Sequence, residues 1–98
     1  MRYTRKQHIR KASEFDAIRT SGFRRECGFF CLNILQQPKR VPAVRRCGFI
    51  ASKRVGNAVR RNRAKRLMRE AFRRNQQHLP ESCDLVCIAR RAINKATI

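Results

Sequence analysis

Acidic residues are scarce in this chain. It contains six aspartates and glutamates and 25 lysines and arginines in 98 residues, and the formal net charge is +19 at pH 7. The acids form no pair suited to general acid–base catalysis. Neither a Ser/His/Asp set nor a glycine-rich Walker loop is present. The chain is therefore not expected to catalyse a reaction without a partner. Its positive charge predicts that this partner is a polyanion.

Long hydrophobic runs are also missing. No apolar stretch approaches the roughly 18 residues of a transmembrane helix, and residues 1–8 lack the apolar segment of a secretory signal. These absences leave a cytoplasmic protein that binds nucleic acid as the expected class. The length and a hydrophobic fraction of 42% predict a single domain over residues 1–98, which includes a basic N-terminal arm over residues 1–9.

The five cysteines have neither the even number nor the secretion signal of a disulfide framework. The spacings of Cys27 to Cys31 and of Cys83 to Cys87 suggest zinc as one interpretation. On strands, however, residues four apart are separated by about 13 Å, too far for one metal with bonds of about 2.3 Å. We therefore expect reduced thiols, Cys47 included, that pack as small buried hydrophobes, and we predict no metal ligands.

Residues 53–74 are the most informative stretch, because their positive charge is ordered. Gly56 and Asn57 indicate a loop, and a helix is predicted after it. At about 100° per residue, the apolar positions share one face that is expected to pack on a core. These positions are Ala64, Leu67, Met68, Ala71 and Phe72. The opposite face carries a basic ridge of Asn62, Arg66, Arg69 and Arg73, bordered by Arg63 and Lys65.

The basic ridge favours a polyanionic ligand. Like charges at these helical spacings repel by a few tenths of a kcal/mol, and only Glu70 is acidic in the whole stretch. The start of the helix would add backbone N–H groups, together with Arg54, Arg60 and Arg61, that point toward an anion. The alternative is a solvated face without a partner.

Three strands and a further helix are predicted around this segment. A helix over about residues 14–20, with Ser13 as the N-cap of a capping box, would bury Phe15 and Ile18 and end at Gly22. The strands are predicted over residues 29–35, 46–52 and 84–89. The first two are expected to pair as an antiparallel hairpin, and the apolar third strand is expected to be central. The order helix, strand, strand, helix, strand predicts a small α+β sandwich.

A groove for single-stranded nucleic acid is predicted between the first helix and the first strand. Phe29, Cys31 and Asn33 share one strand face, and Phe15 lies on the helix. Aromatic rings in such a groove stack bases at about 1–3 kcal/mol each, although core packing is an equally good interpretation of Phe15. RNA is favoured over DNA, because a helix-turn-helix would need a helix where residues 47–52 predict a strand.

Residues 54–72 closely resemble the signature of the bacterial ribonuclease P protein component, with Arg61-Asn62-Arg63 at its RNR core. The supporting matches are Arg10-Lys11 before Phe15, Gln37-Pro38, residues 47–53 and Ile88-Ala89-Arg90. The resemblance extends from about residue 9 to residue 93, and its main motif is long and ungapped. It implies an α+β fold like domain 2 of ribosomal protein S5, with the usual C-terminal helix missing and the chain truncated at its C-terminal end.

The resemblance also implies a function. Members of the family are the protein subunit of a ribonucleoprotein endonuclease that removes the 5′ leader from precursor tRNA; the RNA subunit performs the hydrolysis and holds most of the Mg²⁺. No catalytic residue is expected in the protein. The expected RNA-binding residues are Lys53, Arg54, Asn57, Arg60, Arg61, Asn62, Arg63, Lys65, Arg66, Arg69 and Arg73. The expected leader-binding cleft comprises Arg10, Lys11, Phe15, Arg19, Phe29 and Asn33.

Two other classes of protein remain open at this point. A structural RNA-binding protein of the ribosomal type would use the same helix without any processing role, and it would not bind precursor tRNA according to leader length. A DNA-binding module is the second alternative, and competition between duplex DNA and structured RNA would test it. The expected partners are the ribonuclease P RNA and precursor tRNA, with neither DNA nor a membrane.

Overall fold

Four strands form one mixed sheet in the computed structural model, which describes residues 7–9 and 11–96. The elements are α1 (Ala12–Ser21), β1 (Phe23–Glu26), β2 (Phe30–Gln36), β3 (Arg45–Ile50), α2 (Ala58–Asn75) and β4 (Cys83–Ala89), with short 3₁₀ helices at Gln76–His78 and Arg91–Lys95. The predicted α+β class is confirmed. Strand β1 was not predicted, because all of its residues are exposed and it lacks apolar alternation.

Strand β4 lies between β2 and β3 in the sheet order β1-β2-β4-β3, so its predicted central position is confirmed. All of its residues except Ile88 are buried. The predicted hairpin of β2 and β3 is wrong, because β4 pairs antiparallel with β2 and parallel with β3. Helix α2 connects β3 to β4 and supplies the long crossover that a parallel pair requires.

Helix α1 begins earlier than predicted. The carbonyl of Lys11 accepts hydrogen bonds from the N–H groups of Glu14 and Phe15, at 3.0 and 3.3 Å. Lys11 is thus the N-cap, and the assignment of Ser13 is wrong because Ser13 lies inside the first turn. The predicted end at Gly22 is confirmed, since its N–H donates to the carbonyl of Ile18 at 2.8 Å. A Cβ at Gly22 would lie 2.4 Å from that oxygen.

The two helices cover opposite faces of the sheet. The predicted apolar face of α2 is confirmed: Ala64, Met68 and Phe72 are buried, and Leu67 and Ala71 are half-buried. On the other face, the buried residues Ile9, Ile18 and Val86 form a smaller core under α1. Among the described residues, no helix combines the length and the apolar character needed to cross a membrane.

Four cysteines, Cys31, Cys47, Cys83 and Cys87, are buried as predicted. Cys27 is exposed, because it lies in the turn between β1 and β2 and not on a strand. No disulfide joins the cysteines, all five of which lie within the described residues. Desolvation raises the pKa of the Cys31, Cys47 and Cys83 thiols, so these side chains stay protonated and pack as hydrophobes at neutral pH.

Candidate nucleic-acid interface

The loop before α2 depends on a glycine and an asparagine. Gly56 has a φ of 140°, in the region that favours glycine. Asn57 is the N-cap of α2, and its side-chain oxygen accepts a hydrogen bond from the N–H of Arg60 at 3.0 Å. The Asn57 side chain is therefore engaged in the cap. Lys53, Arg54 and Arg60 are exposed in the loop and in the first turn.

The basic ridge is exposed at Asn62, Arg66 and Arg69. Within residues 7–9 and 11–96, the side chains of Asn62 and Arg66 have no hydrogen bond or ion pair. The guanidinium carbon of Arg69 lies 5.9 Å from the ring centre of Phe49, which is a cation–π distance. A shallow depression of about 560 Å³ runs along the ridge and is lined by Val59, Asn62, Arg63, Arg66 and Arg69. Its walls supply positive charge without a carboxylate.

The fourth residue of the basic ridge has an acidic partner. Glu70 forms ion pairs with Arg73 and, at 3.0 Å, with Arg74. The hydrogen bond from Arg73, followed by that from Arg74, lowers the pKa of Glu70 to about 2. Glu70 is therefore ionised at neutral pH and offsets charge at this end of the ridge, so the arrangement differs from the predicted row of four equivalent residues.

Three other predicted RNA-binding residues on α2 are half-buried. Arg63 donates hydrogen bonds to the carbonyl of Ile93, at 3.5 Å, and to that of Ala96. The Nε of Arg61 is buried and has no hydrogen-bond partner in the described part of the chain. Lys65 lies at the border of the ridge. The exposed cations and the half-buried cations thus alternate around the first turns of the helix.

On the opposite face of the sheet, α1 and β2 border a cleft of about 520 Å³. The residues of this α1-side cleft are Asp16, Arg19, Thr20, Arg24, Asn33 and Ile88. Asn33 is 4% exposed, and its carboxamide has no hydrogen bond within the described residues. Its amide atoms retain contact with solvent in the cleft, so they are available to a ligand that offers a donor or an acceptor. The structure thus brings Arg19 and Asn33, two of the residues predicted to bind the leader, to one cleft.

Three other residues predicted for the cleft, Lys11, Phe15 and Phe29, do not line it. The ring of Phe15 packs on Gly48, where an added Cβ would lie 2.3 Å from it, and Phe15 contacts the core under α1; this packing favours the core interpretation. Phe29 precedes β2 and is 43% exposed. Its predicted place on the strand face is wrong, because the turn after β1 extends through it. Lys11 is exposed at the start of α1, and Arg10 lies outside the described residues.

A second depression, of about 640 Å³, continues the α1-side cleft, with which it shares Arg24 and Ile88. This arginine depression is lined by the arginines Arg24, Arg54, Arg90 and Arg91. Glu26 forms ion pairs with Arg24, at 3.0 Å, and with Arg90. Arg24, Arg90 and Arg91 were missed as site residues because β1 and the end of β4 are far apart in sequence. The only signal was the Ile88-Ala89-Arg90 match.

The carboxylates do not form a metal site in the part of the chain that the structure describes. No group of three or more His, Cys, Asp or Glu residues is placed to hold an ion there. Glu14, Glu26, Glu70 and Asp84 are instead paired with arginines. Mg²⁺ prefers carboxylate and phosphate oxygens in near-octahedral geometry. The donor set of the described residues therefore does not fit a bound Mg²⁺.

Comparisons with known proteins agree on one family. The model of the ribonuclease P family matches residues 3–98. The chain is 37% identical over 95 residues to the ribonuclease P protein component of Desulfovibrio desulfuricans. This alignment covers 96% of this chain and 72% of that protein. The chain is 44% identical over 86 residues to the ribonuclease P protein component of Shouchella clausii. That alignment covers 88% of this chain and 69% of that protein.

Solved structures give the same result. The RNase P protein of Staphylococcus aureus superposes with a TM-score of 0.80 at 30% identity, covering 93% of this chain and 81% of that one. The RNase P protein from Thermotoga maritima superposes with a TM-score of 0.74 at 28% identity, covering 90% and 77%. Sequence and fold therefore lead to one conclusion. The chain belongs to the ribonuclease P protein family.

Proposed function

We propose that the chain, as the protein subunit of the tRNA 5′-processing ribonucleoprotein ribonuclease P, uses two surfaces for two RNAs. The basic ridge and the start of α2 bind the RNA subunit. The α1-side cleft and the arginine depression hold the 5′ leader of precursor tRNA. The RNA subunit performs the hydrolysis, and the complex works in the cytoplasm.

One observation carries the first assignment: Asn62, Arg66 and Arg69 are exposed along a depression that no carboxylate of the described residues lines, and Glu70 is paired with Arg73 and Arg74 instead. A guanidinium presents a planar fork of N–H groups that matches two phosphate oxygens. Successive residues of the row lie three or four positions apart and so follow one side of the helix. Such a row suits the closely spaced phosphates of a folded RNA backbone.

The second assignment is supported by the chemistry of the α1-side cleft and the arginine depression, which together form one trough. Asn33 lines the cleft, and arginines from β1 and from the residues after β4 line the depression. An amide offers both a donor and an acceptor to the edge of an unpaired base. Because Phe15 packs into the core, hydrogen bonds and phosphate contacts, and not stacking on this ring, would hold the leader.

Ribonuclease P is a metal-dependent ribonucleoprotein enzyme, and we propose Mg²⁺, held by the RNA subunit, as its metal. The lack of a fitting donor set in the described residues supports this division. The net charge of +19 would act in the same direction as the metal by offsetting repulsion between phosphates. The Mg²⁺ concentration needed for cleavage should therefore fall when the protein is added.

Reconstitution tests the proposal. A ribonuclease P RNA and precursor tRNAs with short and long leaders are incubated at low Mg²⁺, with and without the protein. We expect the protein to stimulate 5′ cleavage, and to do so more strongly for the longer leader. The double variant Arg66→Ala/Arg69→Ala, with an unchanged melting temperature, should not stimulate it. If the wild-type protein gave no stimulation, or if duplex DNA competed as well as structured RNA, the proposal would be wrong.

A further inference from the structure

We infer that Arg63 is a positioning residue that joins the basic ridge to the arginine depression, and that it is not itself a phosphate contact. The inference rests on the proposed function of these two surfaces. It changes the role that the resemblance assigns to Arg63, because that role places the side chain among the residues that face RNA.

The C-terminal 3₁₀ helix, Arg91–Lys95, returns from the end of β4 to the start of α2. Its Ile93 side chain is 2% exposed and lies in the core under α2. The Asn94 side chain donates a hydrogen bond to the carbonyl of Val55 at 2.7 Å. Arg63 donates to the carbonyls of Ile93 and Ala96. One buried apolar side chain and two polar side chains thus attach this short helix to α2 and to the loop before it.

These hydrogen bonds hold the guanidinium of Arg63 against the C-terminal 3₁₀ helix. Each of its two terminal nitrogens donates one N–H to a backbone carbonyl, so a phosphate bound in bidentate fashion by these two nitrogens would compete with the 3₁₀ helix for Arg63. Arg66, one helical turn further along, has no such partners within residues 7–9 and 11–96. The two arginines carry the same charge but differ in what their N–H groups can bind.

The 3₁₀ helix brings two arginines to the same depression. Arg91 begins this helix and lines the arginine depression together with Arg54. Arg54 precedes Val55, whose carbonyl accepts the hydrogen bond from Asn94. Arg63 and Asn94 therefore set the separation of Arg54 from Arg91. If either hydrogen bond is removed, the depression should lose its geometry while the basic ridge keeps its exposed cations.

Two measurements separate positioning from direct contact. The first is the salt slope, which is the slope of the logarithm of the binding constant against the logarithm of the salt concentration. It is measured for binding to the RNA subunit alone. The second is the leader ratio, which is the affinity of the holoenzyme for precursor tRNA divided by its affinity for mature tRNA. The variants are Arg63→Met, Arg63→Lys and Asn94→Ala, and Arg66→Met is the matched loss of one positive charge on the same helix. Melting temperatures show that each variant is folded during the assay.

We expect Arg63→Met and Asn94→Ala to lower the leader ratio roughly two- to tenfold, the range for the loss of one hydrogen bond, and to leave the salt slope unchanged. Arg63→Lys should also lower the ratio, because one ammonium group does not reproduce the fork that spans two carbonyls. Arg66→Met should instead reduce the salt slope by roughly 0.7–0.9 and keep the ratio.

The inference is overturned if Arg63→Met reduces the salt slope as Arg66→Met does, or if Asn94→Ala keeps the wild-type ratio. Should Arg63→Met fail to fold, Arg63→Lys and Asn94→Ala decide the question, since neither removes a positive charge. A wild-type protein that did not distinguish precursor from mature tRNA would overturn the proposed function. If the wild-type leader ratio is above one and the variants keep that ratio, only the role of Arg63 is overturned.

Discussion

At the scale of single residues, the cations of α2 divide according to the partners that the protein supplies. Arg73 and Arg74 share the carboxylate of Glu70, and Arg63 donates to backbone carbonyls. Arg66 has neither kind of partner in the described part of the chain. The same side chain type therefore neutralises an acid, holds a neighbouring segment or remains available to a phosphate.

This division predicts different salt dependences for variants of the basic ridge. Arg66→Ala should reduce the salt slope of RNA-subunit binding by roughly 0.7–0.9 for the lost phosphate contact. Arg73→Ala should reduce it less, because Glu70 already offsets its charge. Filter binding or fluorescence titration over a range of salt concentrations measures the slopes, and Lys39→Ala, in the loop between β2 and β3, is the control for a lost charge. Equal slopes for the Arg66 and Arg73 variants would contradict the division.

Glu70 also gives a pH dependence of stability with a definite sign. Its pKa falls from the ordinary 4.5 to about 2 in the folded protein, so the folded state binds fewer protons than the unfolded chain between these values. The stabilising contribution is complete above pH 4.5 and is lost as the pH falls toward 2. The melting temperature of the wild type should therefore exceed that of Glu70→Gln by a constant amount above pH 4.5, and by less at lower pH.

Glu81→Gln is the control for this experiment, because Glu81 is exposed and has no ion pair within the described residues. Its difference from the wild type should not follow the same curve. A difference between wild type and Glu70→Gln that stayed constant from pH 7 to pH 2 would mean that the ion pairs with Arg73 and Arg74 do not stabilise the helix.

At the scale of elements, regular periodicity determined what could be predicted. The apolar face of α2, from Ala64 to Phe72, follows a helical period over about two and a half turns, and its phase was predicted correctly. Strand β1 has the residues Phe23–Glu26, all exposed, so it carries no such signal. The pairing of strands was beyond prediction because β4 joins β2 and β3 through contacts between segments that are distant in sequence.

The burial of α2 makes a quantitative prediction at this scale. Met68 is 1% exposed, and Met68→Ala should lower the free energy of unfolding by about 2–5 kcal/mol. Leu67 is half-buried, so Leu67→Ala should cost less. Val59→Ala, at an exposed position of the same helix, should change stability by about 0.5 kcal/mol or less. Denaturant unfolding measures all three, and a larger loss for Leu67→Ala than for Met68→Ala would show that the helix is rotated.

At the scale of the whole molecule, the α1-side cleft was only partly predictable. Asn33 was recognised from its place in a strand, whereas Arg24 and Arg91 were not, because only the register of the completed sheet brings their segments together. The charge of the chain predicted that an anion binds. The division of the molecule into a ridge on one face and a trough on the other required the fold.

The thiols give a test of the fold as a whole. In the native protein, a thiol reagent at neutral pH should modify Cys27 rapidly, and the other four cysteines slowly, because they are buried. All five should react rapidly in denaturant. The variant Cys27→Ser should show no rapid reaction when native. Two or more rapidly reacting thiols in the wild type would contradict the burial of β2, β3 and β4 in one sheet.

The central position of β4 has a consequence for synthesis. The ribosome releases β1, β2 and β3 first. Strand β4, which lies between β2 and β3 in the sheet, follows only after all of α2 has been made. Until then the only described pairing of β3 is the isolated bridge between His8 and Cys47, and a lone hairpin of β1 and β2 is marginally stable. The sheet therefore forms late and from distant segments, which is a slow topology. A nascent chain with so many arginines would meanwhile be exposed, unfolded, to the RNA that surrounds it.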